Sequence, residues 1–240
     1  MIMFLLAAML PAFILFWYVY SRDITPEPRN VVARGFFYGA LATVVSTFIS
    51  APLLRLGLFQ TEPSTFWGAF RTAFFGAAIP EETAKLLMLW LLLRRCKDFD
   101  ERYDGLVYAA AIGLGFATLE NILYLASSGF GFFQVAFSRA ILAVPGHFGF
   151  AVVMGYYYSL NHFDRYRAPG AGIKMWLYPV LGHGLYDTIA MSQSVTPQLS
   201  GVIAVAILLL CFWGLKWARV HMTSHLLADS LDQAGGIDEQ

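Results

Sequence analysis

An all-α, polytopic membrane protein is the fold class that this 240-residue sequence predicts, with about seven transmembrane helices and a short interfacial amphipathic helix before the third. Three features predict it. The composition is 58% hydrophobic and only 13% charged, where a soluble domain carries nearer a quarter charged residues. Mean hydropathy is +0.59. Uncharged apolar runs of about twenty residues recur along the chain, each long enough to cross a hydrocarbon core of about 30 Å. Sixteen basic residues balance sixteen acidic ones and no basic stripe with interleaved aromatics occurs, so a soluble enzyme and a nucleic-acid partner are both excluded.

Residues 1–20 carry no charge and lack both a basic leader and a small-residue cleavage site, so they read as a first span rather than a removable signal. Further spans are expected at 31–55, 77–93, 105–126, 134–160, 175–192 and 199–217, bounded by charges or by Pro, Gly and Ser. Residues 64–79 interleave Phe66, Trp67, Phe70, Phe74 and Phe75 with Arg71. Joined to the third span they would make a helix of about 48 Å, far longer than the bilayer needs. Pro80 is therefore expected to break the helix and leave 64–79 at the interface. Residues 1–220 read as a single membrane-embedded domain whose motif-bearing core is 64–192, and 221–240 as a short, solvated cytoplasmic tail rich in Asp. Cys96 and Cys211 lie in different segments with no metal-binding or redox spacing.

Twelve of the Lys and Arg residues fall in the connections after spans one, three and five and at the end of span seven; Arg55, Arg71 and Arg139 fall in the others. Because short cytoplasmic loops carry the excess of cations, the N-terminus is expected outside and the C-terminus in the cytoplasm.

Seven ionisable side chains lie inside the spans, where each costs about 2.5–3.5 kcal/mol on insertion scales and so points to function. They are Glu81, Glu82 and Lys85 in the segment EETAK, Glu120 in FATLE, His147 after Pro145 and Gly146, and His183 and Asp187 in HGLYD. Structural readings exist for each: Glu81 and Glu82 as helix-start charges paired with Lys85, Glu120 as a partner of Asn121, His147 as a satisfied core histidine, and His183 with Asp187 as an interhelical pair. Four independent spans nevertheless place these groups at similar depth, toward the outer face, with His147 somewhat deeper. One polar, water-accessible cavity explains the coincidence. Gly113 and Gly115 beside Glu120 would let a neighbouring helix approach closely.

Hydrolysing a peptide bond in such a cavity requires a base for water, donors for the oxyanion and an acid for the leaving amine. No Ser or Cys lies in these segments in a nucleophile's setting, so the base acts on water. Glu81 is assigned as base, Glu82 and Lys85 as the pair that modulates it, and His183, oriented by Asp187, as oxyanion or leaving-group partner.

The segments EETAK, FATLE and HGLYD resemble the motifs EExxK, FxxxE and HxxxD of the PrsW family of intramembrane proteases, itself related to CAAX-prenyl endopeptidases and bacteriocin-processing membrane proteins. All motif positions match: Glu81, Glu82, Lys85, Phe116, Glu120, His183 and Asp187. The resemblance spans roughly residues 64–192. It implies a multi-pass protein of a bacterial or archaeal cytoplasmic membrane that cleaves a single-pass membrane substrate, such as an anti-sigma factor, near the outer face. Where the CAAX enzymes carry His in the second motif, this chain has Glu120.

No cofactor is required by this scheme. A metal-dependent protease is the alternative, with Zn²⁺ held by Glu81 or Glu82, Glu120, His147, His183 and Asp187, although no HExxH spacing occurs. A proton-coupled transporter would also bury such residues, but no inverted repeat is visible.

Overall fold

The computed structural model describes residues 2–235, and those residues contain helices and connections with no β-strand. The helices are α1 (Ile2–Tyr20), α2 (Arg29–Arg55), α3 (Phe66–Arg71), α4 (Ile79–Leu93), α5 (Arg102–Ser127), α6 (Phe132–Ser138), α7 (Val144–Phe163), α8 (Ala171–Val195) and α9 (Ser200–Gly235). π-helical turns at Thr72–Ala78 join α3 to α4, and others at Arg139–Ala143 join α6 to α7. The described residues therefore form seven continuous rods, the number the sequence predicts. Four of them are long and apolar enough to cross a membrane: Arg29–Arg55, Arg102–Ser127, Phe132–Phe163 and Gly201–Ala234.

Both π-helical stretches end just before a proline, Pro80 and Pro145. Proline donates no N–H and its ring collides with the carbonyl four residues back, so an ordinary α-turn is disfavoured there. The wider turn answers this: Ile79 N–H donates to Phe74 O and Val144 N–H to Arg139 O, each five residues back. The amphipathic segment expected before the third span is thus helical at Phe66–Arg71 but runs into that span without a break. Glu81, Glu82 and His147 all follow directly on these widened turns.

Helix α5 is the axis of the bundle. Leu106, Val107, Ala110 and Leu114 pack with Phe16, Val144 and Phe148 on one side, while Tyr108, Ile112 and Phe116 pack with Leu89, Leu92 and Met154 on the other. A helix apolar on every face is stable only when surrounded, and α2, α4, α7, α1 and α9 surround it. Close approach depends on the two glycines singled out above. A Cβ on Gly113 would lie 2.5 Å from Ala151 Cβ of α7, and one on Gly115 would lie 2.9 Å from Phe36 Cα of α2. Outward-facing Phe13, Trp17, Phe37, Phe48, Phe212 and Trp213 are exposed, as lipid-facing side chains are.

The C-terminal segment departs from expectation. Residues 221–235 continue α9, and His225 and Asp229 are buried rather than solvated. Asp229 accepts the backbone N–H groups of Arg102 and Tyr103 at 3.0 and 2.9 Å, capping the start of α5. Arg102 also pairs bidentately with Asp164, at 2.6 and 3.1 Å, and reaches Asp232 at 2.5 Å. These contacts anchor the end of the chain to α5 and α7. Residues 236–240, including the tail's Asp238 and Glu239, lie outside the described residues.

Candidate active site

Helices α4, α5, α7 and α8 each deliver part of one buried polar group. Glu81 and Glu82 follow Pro80 at the end of the widened turn, and Lys85 lies one turn on. Lys85 Nζ is 2.7 Å from Glu82 Oε1 and 3.6 Å from Glu81 Oε2. It also lies 4.1 Å from the centre of the Phe116 ring, which supplies a cation–π contact from the second motif.

His147 joins this group to α5. Its Nδ1 is 3.0 Å from Lys85 Nζ and its Nε2 is 2.8 Å from Glu120 Oε2. An ammonium can only donate, so Nδ1 accepts and Nε2–H donates to Glu120, which defines the tautomer. His183 joins the group from α8: Nδ1 is 2.8 Å from Glu82 Oε1, and Nε2 faces Asp187 Oδ2 at 3.3 Å and Glu81 Oε2 at 3.9 Å. The two imidazoles meet edge to face with centres 5.2 Å apart, and Phe150 stacks on His183 at 5.0 Å.

Every residue picked out in the sequence is brought together here, and five of the seven border one cavity of about 360 Å³: Glu81, Glu120, His147, His183 and Asp187. Glu82 and Lys85 are sealed behind it at 0% and 1% exposure, whereas the Glu81 side chain keeps 14% and reaches the cavity. The tie expected between Glu120 and Asn121 is absent; Asn121 instead donates to Ala8 O at 3.2 Å.

The partner that sequence reasoning missed is Arg139. It stands in the π-helical turn before α7, donates to Glu120 Oε2 and Asn121 Oδ1 at 2.6 Å each, and lies over the Tyr124 ring. Its position at a helix start made it look like a loop cation. Trp176 was missed as well; its Nε1–H donates to Thr83 Oγ1 at 2.9 Å and fastens α8 to the first motif.

The donor set also bears on a metal. One ligand atom from each of Glu81, Glu82, His147 and His183 lies within 4.8 Å of the others, and Oε2 of both glutamates is buried without a hydrogen-bond partner. Two imidazoles with two carboxylates are donors that Zn²⁺ takes. These residues fit such an ion, but the Lys85 ammonium now lies among them, so ion and ammonium compete for one place. This group contains both Glu81 and Glu82, but not the Glu120 and Asp187 that the sequence also suggested.

The family model described as "PrsW family intramembrane metalloprotease" matches residues 27–214. The chain is 36% identical over 190 residues to a Bacillus subtilis (strain 168) protein named "Protease PrsW", covering 78% of this chain and 83% of that one. Proteins of the same name from Geobacillus kaustophilus (strain HTA426) and Oceanobacillus iheyensis are 33% and 32% identical. The first match covers 84% of this chain and 85% of the relative, and the second 91% and 97%. No solved structure matches this chain.

Proposed function

The chain belongs to the PrsW family of intramembrane proteases, a multi-pass bacterial membrane enzyme family, and from that premise we propose that it cleaves a single-pass membrane protein near the outer face, using water activated by Glu81. One observation carries the assignment of the base: of the two adjacent glutamates, only Glu81 lines the cavity. Water bound there loses its proton to Glu81 as it attacks the scissile carbonyl, and Glu81 returns that proton to the leaving amine. His183, held between Glu82 and Asp187, faces the same cavity and donates to the developing oxyanion. Lys85 balances the carboxylates, and His147, Glu120 and Arg139 hold Lys85 in position.

Substrate reaches the site from the lipid side. An apolar groove of about 360 Å³ between α7, α8 and α9 is lined by Gly146, Gly182 and Trp213, and it shares Phe150 and Tyr186 with the polar cavity. A hydrophobic helix lying in that groove would present its unwound end to Glu81. Residues 1–220 act as one protease domain in this reading, with an anti-sigma factor as a fitting substrate class.

A metal reading is favoured by the family's description and by the close Glu/His group. Glu81, Glu82, His147 and His183 would hold the ion, which when bound supplies a Lewis acid for water and carbonyl. Cleavage by purified protein, assayed after exhaustive chelation and again after adding Zn²⁺, separates the two. Full activity of metal-free protein is expected; loss on chelation with recovery on Zn²⁺ overturns the metal-free scheme.

A further inference from the structure

Away from the active site, three carboxylates meet inside the other end of the bundle. Asp23 and Glu27 lie on the connection between α1 and α2, and Asp104 lies in the first turn of α5. One oxygen of each lies within 4.8 Å of the others, and the residues are 8%, 4% and 1% exposed. Asp104 and Glu120 are 16 residues apart on α5, which sets this cluster about 24 Å along the axis from the catalytic group.

Acceptor capacity is left over within it. Both Oδ atoms of Asp23 are buried, and neither accepts a hydrogen bond within 3.5 Å. Asp104 Oδ2 accepts the backbone N–H groups of Asp100 and Glu101 at 2.9 and 2.6 Å, which leaves Oδ1 buried and unpartnered. Glu27 Oε2 accepts from the Tyr108 hydroxyl. Among the described residues, no Lys, Arg or His nitrogen lies within 4.0 Å of the three carboxylates. The neighbouring Arg22 is turned away, 3.8 Å over the Tyr18 ring.

Carboxylates buried without a counter-charge are held together either by shared protons or by a cation. Burial pushes Asp23 and Glu27 up to about 7, as crowding of acids without a cation does. Glu27 and Asp104 are joined by a shared proton, but Asp23 is not held this way: both of its oxygens are buried without a partner. Three oxygens each within 4.8 Å of the others can reach one Ca²⁺, whose oxygen ligands lie at about 2.3–2.6 Å.

We propose that Asp23, Glu27 and Asp104 bind a hard divalent cation, Ca²⁺ or Mg²⁺, which pins the α1–α2 connection to the start of α5. All donors are oxygens, which selects for these ions over Zn²⁺. Because α5 carries Phe116 and Glu120, the ion braces the helix that bears the second motif.

The test uses full-length protein in detergent, stripped with chelator and titrated with Ca²⁺ and Mg²⁺ separately, with binding and thermal unfolding both followed. Wild type should bind one ion saturably and gain Tm with either Ca²⁺ or Mg²⁺. Asp23→Asn and Glu27→Gln should weaken binding by about tenfold or more, while Glu81→Gln, in the active site, should bind as wild type does. Asp23→Asn should also melt higher than wild type when both are metal-free, since it relieves carboxylate crowding, a gain that a purely structural role for Asp23 would not give. Wild type with no saturable response to either ion, or unchanged affinity in Asp23→Asn or Glu27→Gln, overturns the proposal. Should Asp23→Asn fail to fold, the wild-type titration and Glu27→Gln decide it.

Discussion

Lys85 Nζ lies 3.0 Å from His147 Nδ1, so a contact across 62 residues ties the first motif to a histidine that belongs to none of the three motifs. Through it the ammonium joins Glu81, Glu82 and, by way of the imidazole, Glu120 into one network. Its loss would leave buried carboxylates without a counter-charge.

Lys85→Met is therefore expected to destabilise the protein by about 3–5 kcal/mol and to abolish cleavage. Lys85→Arg should not restore activity, because a planar fork cannot occupy the point among Glu82, His147 and Phe116 that a compact ammonium fills. Detergent-solubilised melting curves beside cleavage rates check this, and a Lys85→Met variant that melts like wild type contradicts it.

Glu81→Gln should keep the fold, because the carboxylate makes no hydrogen bond through Oε2, yet lower cleavage by about 10²–10⁴. His183→Ala should be as inactive, and the double variant scarcely worse than either, since base and oxyanion partner act on one step. Single-turnover rates in reconstituted membranes read this directly. Additive losses would separate the two roles.

Acid should weaken the anchor between α5, α7 and α9. The Arg102 guanidinium holds Asp164 below its ordinary 3.8, so the native state binds that proton less readily than the unfolded chain. The resulting stability is present above about pH 4 and is lost as pH falls through the lower native value. Asp164→Asn should cost about 1.5–3 kcal/mol at pH 7, with the gap to wild type closing as pH falls below Asp164's ordinary 3.8. A gap that stays constant across that range rules out the ion pair as its source.

Membrane orientation has a direct readout. In a background lacking Cys96 and Cys211, an impermeant thiol reagent applied outside is expected to label Ser127→Cys and Ser194→Cys and to miss Tyr166→Cys, all at exposed positions. The opposite pattern would put the active site near the cytoplasmic face and remove the proposed outer cleavage.

The site was legible where a charge stands in an apolar span, because its insertion cost is visible without a fold. Glu81, Glu120, His183 and Asp187 were found that way, and His147 from depth alone. Arg139 was not, because its pairing with Glu120, 19 residues away, depends on how the segment before α7 packs against α5. Asp23, Glu27 and Asp104 lie outside the expected spans, so no insertion cost marks them. They come from separated points, and burial depends on how α1, α2 and α5 meet.

Length, hydropathy and motif spacing by themselves determined seven helices, a membrane setting and the seven ionisable residues that meet in one buried group, since each of these is a local cost or a local period. Tertiary structure alone decided which glutamate of the adjacent pair reaches the cavity, because that depends on which face of α4 meets α5 and which meets α8. It also decided the fate of residues 221–235. Their Asp-rich sequence suits solvent, but Asp229 gains more at the start of α5, where two unpaired backbone N–H groups and Arg102 await a carboxylate.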